Sequence, residues 1–233
     1  MFKNIALIGA LSVLSAGAAQ ASSVTLNYDG KSATNGSGSV TITNAPVTIA
    51  GGADTPRNVA AYGFKMSDAD GIIDEFVAFC LDLEHYLQKS STYEVATTVW
   101  SFTTVGAARV QNVFNANFAG VDVTDATQAA AFQLALWEAA YDDDWNLTTG
   151  DFTANGRSAG GVVGADIDSL AGGYLNAANG YLGDKKFNLS FFEANGEPQS
   201  QSLVTATPVP LPAAGFLLLG GLAGLAALRR KAS

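Results

Sequence analysis

Between Asp125 and Tyr141 the chain reads DATQAAAFQLALWEAAY, and its apolar residues repeat at helical spacing. At about 100° per residue, Ala126, Ala129, Ala130, Phe132, Leu136, Trp137 and Ala140 gather on one arc, with Thr127, Gln128 and Glu138 opposite. Gln133 breaks the pattern by projecting from the middle of the apolar arc. A carboxamide buried there without a partner costs about 1–3 kcal/mol, so it needs hydrogen bonds or a different chemical fate. Either it caps the backbone of a neighbouring strand, or it has reacted and is no longer an amide.

A second residue is equally out of place. Cys80 is the only cysteine in 233 residues. It lies in Phe76–Leu83 (FVAFCLDL), a strand pattern that is apolar on both faces except at Asp82, which implies a buried thiol. An exported domain normally pairs its cysteines or has none. Cys80 is therefore either a small core hydrophobe or a thiol bonded to a partner other than cysteine.

Export is written at the N-terminus. Lys3, an apolar stretch from Ile5 to Leu14, and Ala19-Gln20-Ala21 form a signal peptide over residues 1–21, placing the mature start at Ser22. At the other end, a linker and sorting motif over 207–212 includes Val209, Pro210, Leu211 and Pro212 and runs into Ala213. A short apolar segment, 213–228, and a basic tail, 229–233, follow. The segment is shorter than the ~20 residues of a comfortable span, yet it is uncharged and stopped by cations on what would be its cytoplasmic side. Pro-x-Pro-Ala, the apolar run and the terminal Arg229, Arg230 and Lys231 resemble the PEP-CTERM family of sorting signals in its VPLPA variant. That resemblance implies an exosortase-type sorting enzyme as partner, cleavage near Pro212, and a location in the envelope or on the surface of a Gram-negative bacterium.

The ectodomain is acidic. Four of the 12 basic residues lie in the two targeting segments and none of the 21 acidic ones does, leaving eight against 21 and a formal charge of −13. That balance excludes nucleic acid and anionic lipid as partners of the folded part.

Alternating segments at Val24–Tyr28, Val40–Ile42, Val59–Met66, Tyr93–Thr104, Phe187–Phe192 and Ser200–Ala206 read as strands. Ala107–Phe118 and Tyr174–Leu182 read as helices, Asp122–Thr124 can cap the central helix, and glycine-rich Gly160–Gly173 is ambiguous. The expected architecture is α+β: a single β-rich domain, sandwich- or barrel-like, over 22–206, with a helical insertion. Asp68-Ala69-Asp70-Gly71 lacks the spacing of a calcium loop and reads as a tight turn. Asp142-Asp143-Asp144, Asn146 and Asp151 could hold a cation but read better as a solvated acidic loop. Neither metal nor cofactor is expected. With His85 the only histidine, no nucleophile elbow and no phosphate loop, the chain is not expected to be an enzyme.

Phe79-Cys80-Leu81-Asp82 together with Gln133-Leu134-Ala135-Leu136-Trp137 resembles the thioester domain (TQxA) family of bacterial surface proteins. The resemblance spans about Val59–Asp144. It implies that Cys80 supplies a thiol and Gln133 an acyl group for an internal thioester, in a pocket with Phe79, Asp82 and Trp137. An amine-bearing surface or matrix polymer is then the covalent partner. Phe132 stands where the motif has Thr, and a literal Thr127-Gln128-Ala129 makes Gln128 a rival. Helical position favours Gln133, because Gln128 lies off the apolar arc. The alternative is a non-reactive structural or exopolysaccharide- and biofilm-associated surface protein of the same fold.

Overall fold

The computed structural model describes residues 22–52, 55–71, 73–96 and 104–210. The signal peptide and the segment from Leu211 onward lie outside the described residues, so the span and basic tail expected from the sequence lie there too. Among the described residues no helix is long and apolar enough to cross a membrane.

Nine strands and three α-helices follow one another along the described residues, six of the strands before the first helix. They are β1 (Ser22–Lys31), β2 (Ser39–Asn44), β3 (Arg57–Ala60), β4 (Phe64–Asp68), β5 (Phe76–Cys80) and β6 (Ser90–Ala96). Then come α1 (Thr104–Asn117), α2 (Ala126–Tyr141), β7 (Thr153–Gly156), α3 (Gly164–Asn179), β8 (Phe187–Ala194) and β9 (Leu203–Pro208). Six strands close an antiparallel barrel in the order β1-β4-β5-β9-β8-β6, and β3-β2-β7 form a separate small sheet. Closure leaves no open edge among the barrel strands, which removes the usual invitation to edge-to-edge association.

The helical insertion is larger than the sequence pattern suggests. Glycine lowers helix propensity by roughly 1 kcal/mol per residue, yet α3 runs through Gly172 and Gly173. Ile167, Ala171, Leu175 and Ala178 of α3 are buried, which supplies packing that outweighs propensity. The Val59–Met66 segment divides into β3 and β4 around Gly63, where a Cβ would meet Ser32 and Val77. At the start of α2 the cap is Asp125, whose carboxylate accepts from the backbone N–H of Thr127 and Gln128. Asp122 caps Thr124 one turn earlier.

Both sides of α2 are covered. Ala129 through Ala139 are all buried, so the polar face expected at Glu138 does not reach solvent. Helices α1 and α3 pack on it, and Gly38 lets the chain before β2 pass so close that a Cβ there would strike Ala130 and the Ala126 carbonyl.

Candidate functional site

Strand β5 ends at Cys80, not at Leu83 as its apolar run suggests. On one side it pairs with β9, with Phe79 opposite Val204, Cys80 opposite Leu203, and the Leu81 N–H given to the Ser202 carbonyl at 3.0 Å. Backbone groups alternate sides along a strand, so the N–H and C=O of Cys80 point the other way, toward β4. Continuing the β4–β5 register would set Tyr62 opposite Cys80, but β4 begins only at Phe64. Gln133 fills that gap. Its Oε1 accepts from Cys80 N at 2.8 Å and its Nε2 donates to Cys80 O at 2.7 Å, so a side-chain amide stands in for a strand partner. Both residues are 1% exposed.

A second tie comes from the same helix two turns further on. The Tyr141 hydroxyl donates to Leu81 O at 3.0 Å and accepts from Leu83 N at 3.2 Å, fixing the turn after Cys80. The sequence reading overlooked Tyr141, although Gln133, Trp137 and Tyr141 recur every fourth residue and so share one stripe of the helix.

Phe79 points to the opposite face of β5, into an aromatic cluster. Its ring lies 5.0 Å from Phe132, 6.2 Å from Phe118 and 6.5 Å from Phe114 by centroid, all edge-on. Edge-to-face packing of this kind excludes water and rigidifies the strand.

The thiol is held as a thiol. Sγ donates to the backbone carbonyl of Asp82 at 2.7 Å. Burial pushes its pKa well above the ordinary 9.0, and the Asp82 carboxylate adds to the rise. Two groups act the other way, the Asp82 backbone and the Trp137 indole. The indole N–H is close enough to Sγ to favour a thiolate but forms no aligned bond, for Nε1 has no nitrogen or oxygen partner among the described residues. The Asp82 carboxylate is engaged elsewhere. It accepts from Glu84 N at 2.7 Å and Ser202 N at 3.4 Å, and meets His85 Nδ1 at 2.7 Å. Its role here is to shape the turn.

Trp137 also forms part of the wall of a cavity of about 320 Å³, with Tyr28, Tyr62, Tyr86, Arg57 and Leu83. Gln128, in contrast, is partly exposed and accepts from Asp122 N at 3.0 Å, far along α2 from Cys80. Of the residues expected at the site, Cys80 and Gln133 meet directly, Trp137 and Asp82 lie beside the thiol, and Phe79 faces the other side of the strand. The sorting residues Val209 and Pro210 follow β9, and Leu211, Pro212 and Ala213 lie outside the described residues.

No family model matches the chain, and no curated protein does. Among solved structures, the N-terminal domain of the Streptococcus pyogenes pilus tip adhesin Cpa is 14% identical, with 78% of this chain and 99% of that one covered and a TM-score of 0.43. The N-terminal thioester domain of fibronectin-binding protein SfbI from Streptococcus pyogenes is 13% identical over 73% of this chain and 94% of that one, with a TM-score of 0.41. The N-terminal thioester domain of a surface protein from Clostridium perfringens is 10% identical over 73% and 99%, with a TM-score of 0.43.

Proposed function

We propose that this is an exported, envelope-attached protein in which Cys80 and Gln133 condense to an internal thioester, ready to bond covalently to an amine on a surface or matrix polymer. One observation carries the reading: a solitary buried thiol and a carboxamide locked to the backbone of the same residue. Sγ attacks the side-chain carbonyl carbon of Gln133, the S–C bond forms, the C–N bond breaks, and Nε2 leaves as ammonia with the thiol proton. The raised thiol pKa makes that step slow, and the indole N–H of Trp137, without a hydrogen-bond partner among the described residues, favours negative charge at sulfur. Once formed, the acyl bond is sheltered from hydrolysis by the same burial.

Discharge reverses the logic. A primary amine arriving through the Trp137 cavity attacks the Gln133 carbonyl, an amide forms, and the amine proton goes to Cys80 sulfur as the C–S bond breaks. The event happens once per molecule, so the protein is a tether and not an enzyme. Attachment of the domain itself falls to the VPLPA-type tail and an exosortase-type sorting enzyme.

Intact-mass measurement of the mature chain tests the reading. The expected result is a deficit of one ammonia, restored as an adduct by methylamine, with no thiol to label even after unfolding. Full mass with Cys80 labelled only after unfolding overturns it. That outcome fits the second reading, a non-reactive surface or matrix protein, which the two-point pairing of Gln133 with Cys80 also favours because it satisfies the carboxamide without reaction.

A further inference from the structure

At the C-terminal end of α2 a carboxylate is buried without enough partners. Glu138 is 0% exposed. Its Oε1 accepts from Asn146 N at 2.8 Å, while Oε2 has no hydrogen-bond partner among the described residues. Oxygens of Glu138, Asp142 and Asp144 lie within 4.8 Å of one another, and the three residues grade from buried through half-buried to exposed. The cluster thus opens to solvent at Asp144 and is dry at Glu138.

The local charge does not balance. Arg109, from α1, is the cation that acts on Glu138 among the described residues, and its Nη1 and Nε go to the backbone carbonyls of Asp143 and Ala139 while its guanidinium lies 3.7 Å over the Trp145 ring. One guanidinium therefore faces Glu138, Asp142, Asp143 and Asp144. The last turn of α2 carries no basic residue, and a helix C-terminus presents the negative end of its dipole, so these carboxylates sit where the field opposes them. Burial, reinforced by Asp142 and Asp144, pushes Glu138 up to about 8 against the pull of Asn146 N–H and Arg109. Gly150, at φ +88, has no side chain to displace the Asp142 carboxylate that fills the space beside it.

We propose that Glu138, Asp142 and Asp144 bind one hard divalent cation, and that the ion is calcium. The donors are all oxygen, with neither sulfur nor imidazole, which selects hard cations over zinc or copper. Three carboxylate oxygens within 4.8 Å of one another, in a cluster open to water at Asp144, suit the flexible oxygen shell of Ca²⁺ at roughly 2.3–2.6 Å. They suit Mg²⁺ less well, because it demands near-ideal octahedral geometry and keeps most of its waters. Water completes the shell on the Asp144 side. The bound ion gives Oε2 its missing partner and ties the end of α2 to the loop that Asp142 fastens to β7 through Phe152 N, at 2.8 Å. This goes beyond the thioester reading and does not depend on it.

The test is calorimetric titration of the full chain, stripped with chelator, using CaCl2 and MgCl2 separately, with terbium luminescence sensitised through Trp145 as a second readout. Expected are one saturable calcium site, a higher melting temperature with calcium, and at least about tenfold weaker binding in both Glu138→Gln and Asp144→Asn. Asp144 is exposed, so its variant stays interpretable if the buried one fails to fold. Three results overturn the proposal: no saturable heat at about 1 mM calcium, the upper range for extracellular modules; unchanged affinity in Asp144→Asn; or magnesium binding as tightly as calcium. The ammonia deficit at Gln133 is read by mass alone, so the two proposals fail separately.

Discussion

At Gln133 two hydrogen bonds and a chemical possibility depend on the same three atoms. Replacing it with Glu keeps an acceptor for Cys80 N but sets a carboxylate oxygen against the Cys80 carbonyl. Leaving a buried polar group unpaired costs about 1–3 kcal/mol, more when a charge is involved. Gln133→Glu is therefore expected to lose about 2 kcal/mol or more in urea denaturation and to show no ammonia deficit. Gln128→Ala, at a partly exposed position, should stay within about 0.5 kcal/mol and keep the deficit. Cys80 adds a pH signature. Its pKa in the folded chain is raised above 9.0, so the folded state favours the neutral thiol. That stability is present below pH 9 and is lost as pH rises above it. In unlinked chain, the denaturation midpoint should fall more steeply above pH 9 than in Cys80→Ser; in thioester-linked chain the two curves should coincide. Tyr62 and Tyr141, also raised by burial, contribute equally to both and cancel. These two site residues were legible because each violates its own pattern. Glu138 was not, because a helical wheel has one core-facing side and cannot reveal that α1 and α3 will cover the other.

At the scale of elements, α2 acts as a splint laid across the end of β5. Gln133 holds Cys80, Tyr141 holds Leu81 and Leu83, and Asp125 starts the helix. Loss of the cap by Asp125→Ala should cost about 1 kcal/mol in chemical denaturation and fray the first turn, leaving the Gln133 turn in place. A fraying that reached Gln133 would show instead as reduced hydrogen-exchange protection at Cys80 N–H. The helix itself was readable from alanine-rich periodicity. The end of β5 was not, since Leu81 and Leu83 are as apolar as the strand; what stops the ladder is Gln133 occupying the place of the next β4 residue. Nor was the first part of α3, Gly164–Gly173, where glycines advertise a loop and burial of Ile167 and Ala171 makes a helix that runs on into the turns readable from Tyr174.

For the whole molecule, the number of strands could be read approximately from alternation, whereas closure could not. Closure depends on pairings distant in sequence, such as β1 with β6 and β5 with β9, that no local window contains. One of those pairings has a mechanical meaning. Strand β9 is the final described strand, with Cys80 opposite its first residue, Leu203, and Phe187 of β8 opposite its last, Pro208. A pull applied beyond Pro208 while a captured partner holds Gln133 runs lengthwise along β9, so its ladder to β8 is loaded in shear and must give way all at once. Force spectroscopy with the handles at residue 133 and at the C-terminus should then record a single high rupture peak. Moving the first handle to Lys186, just before Phe187 and so beside Pro208 at the same end of the ladder, should unzip it rung by rung at much lower force.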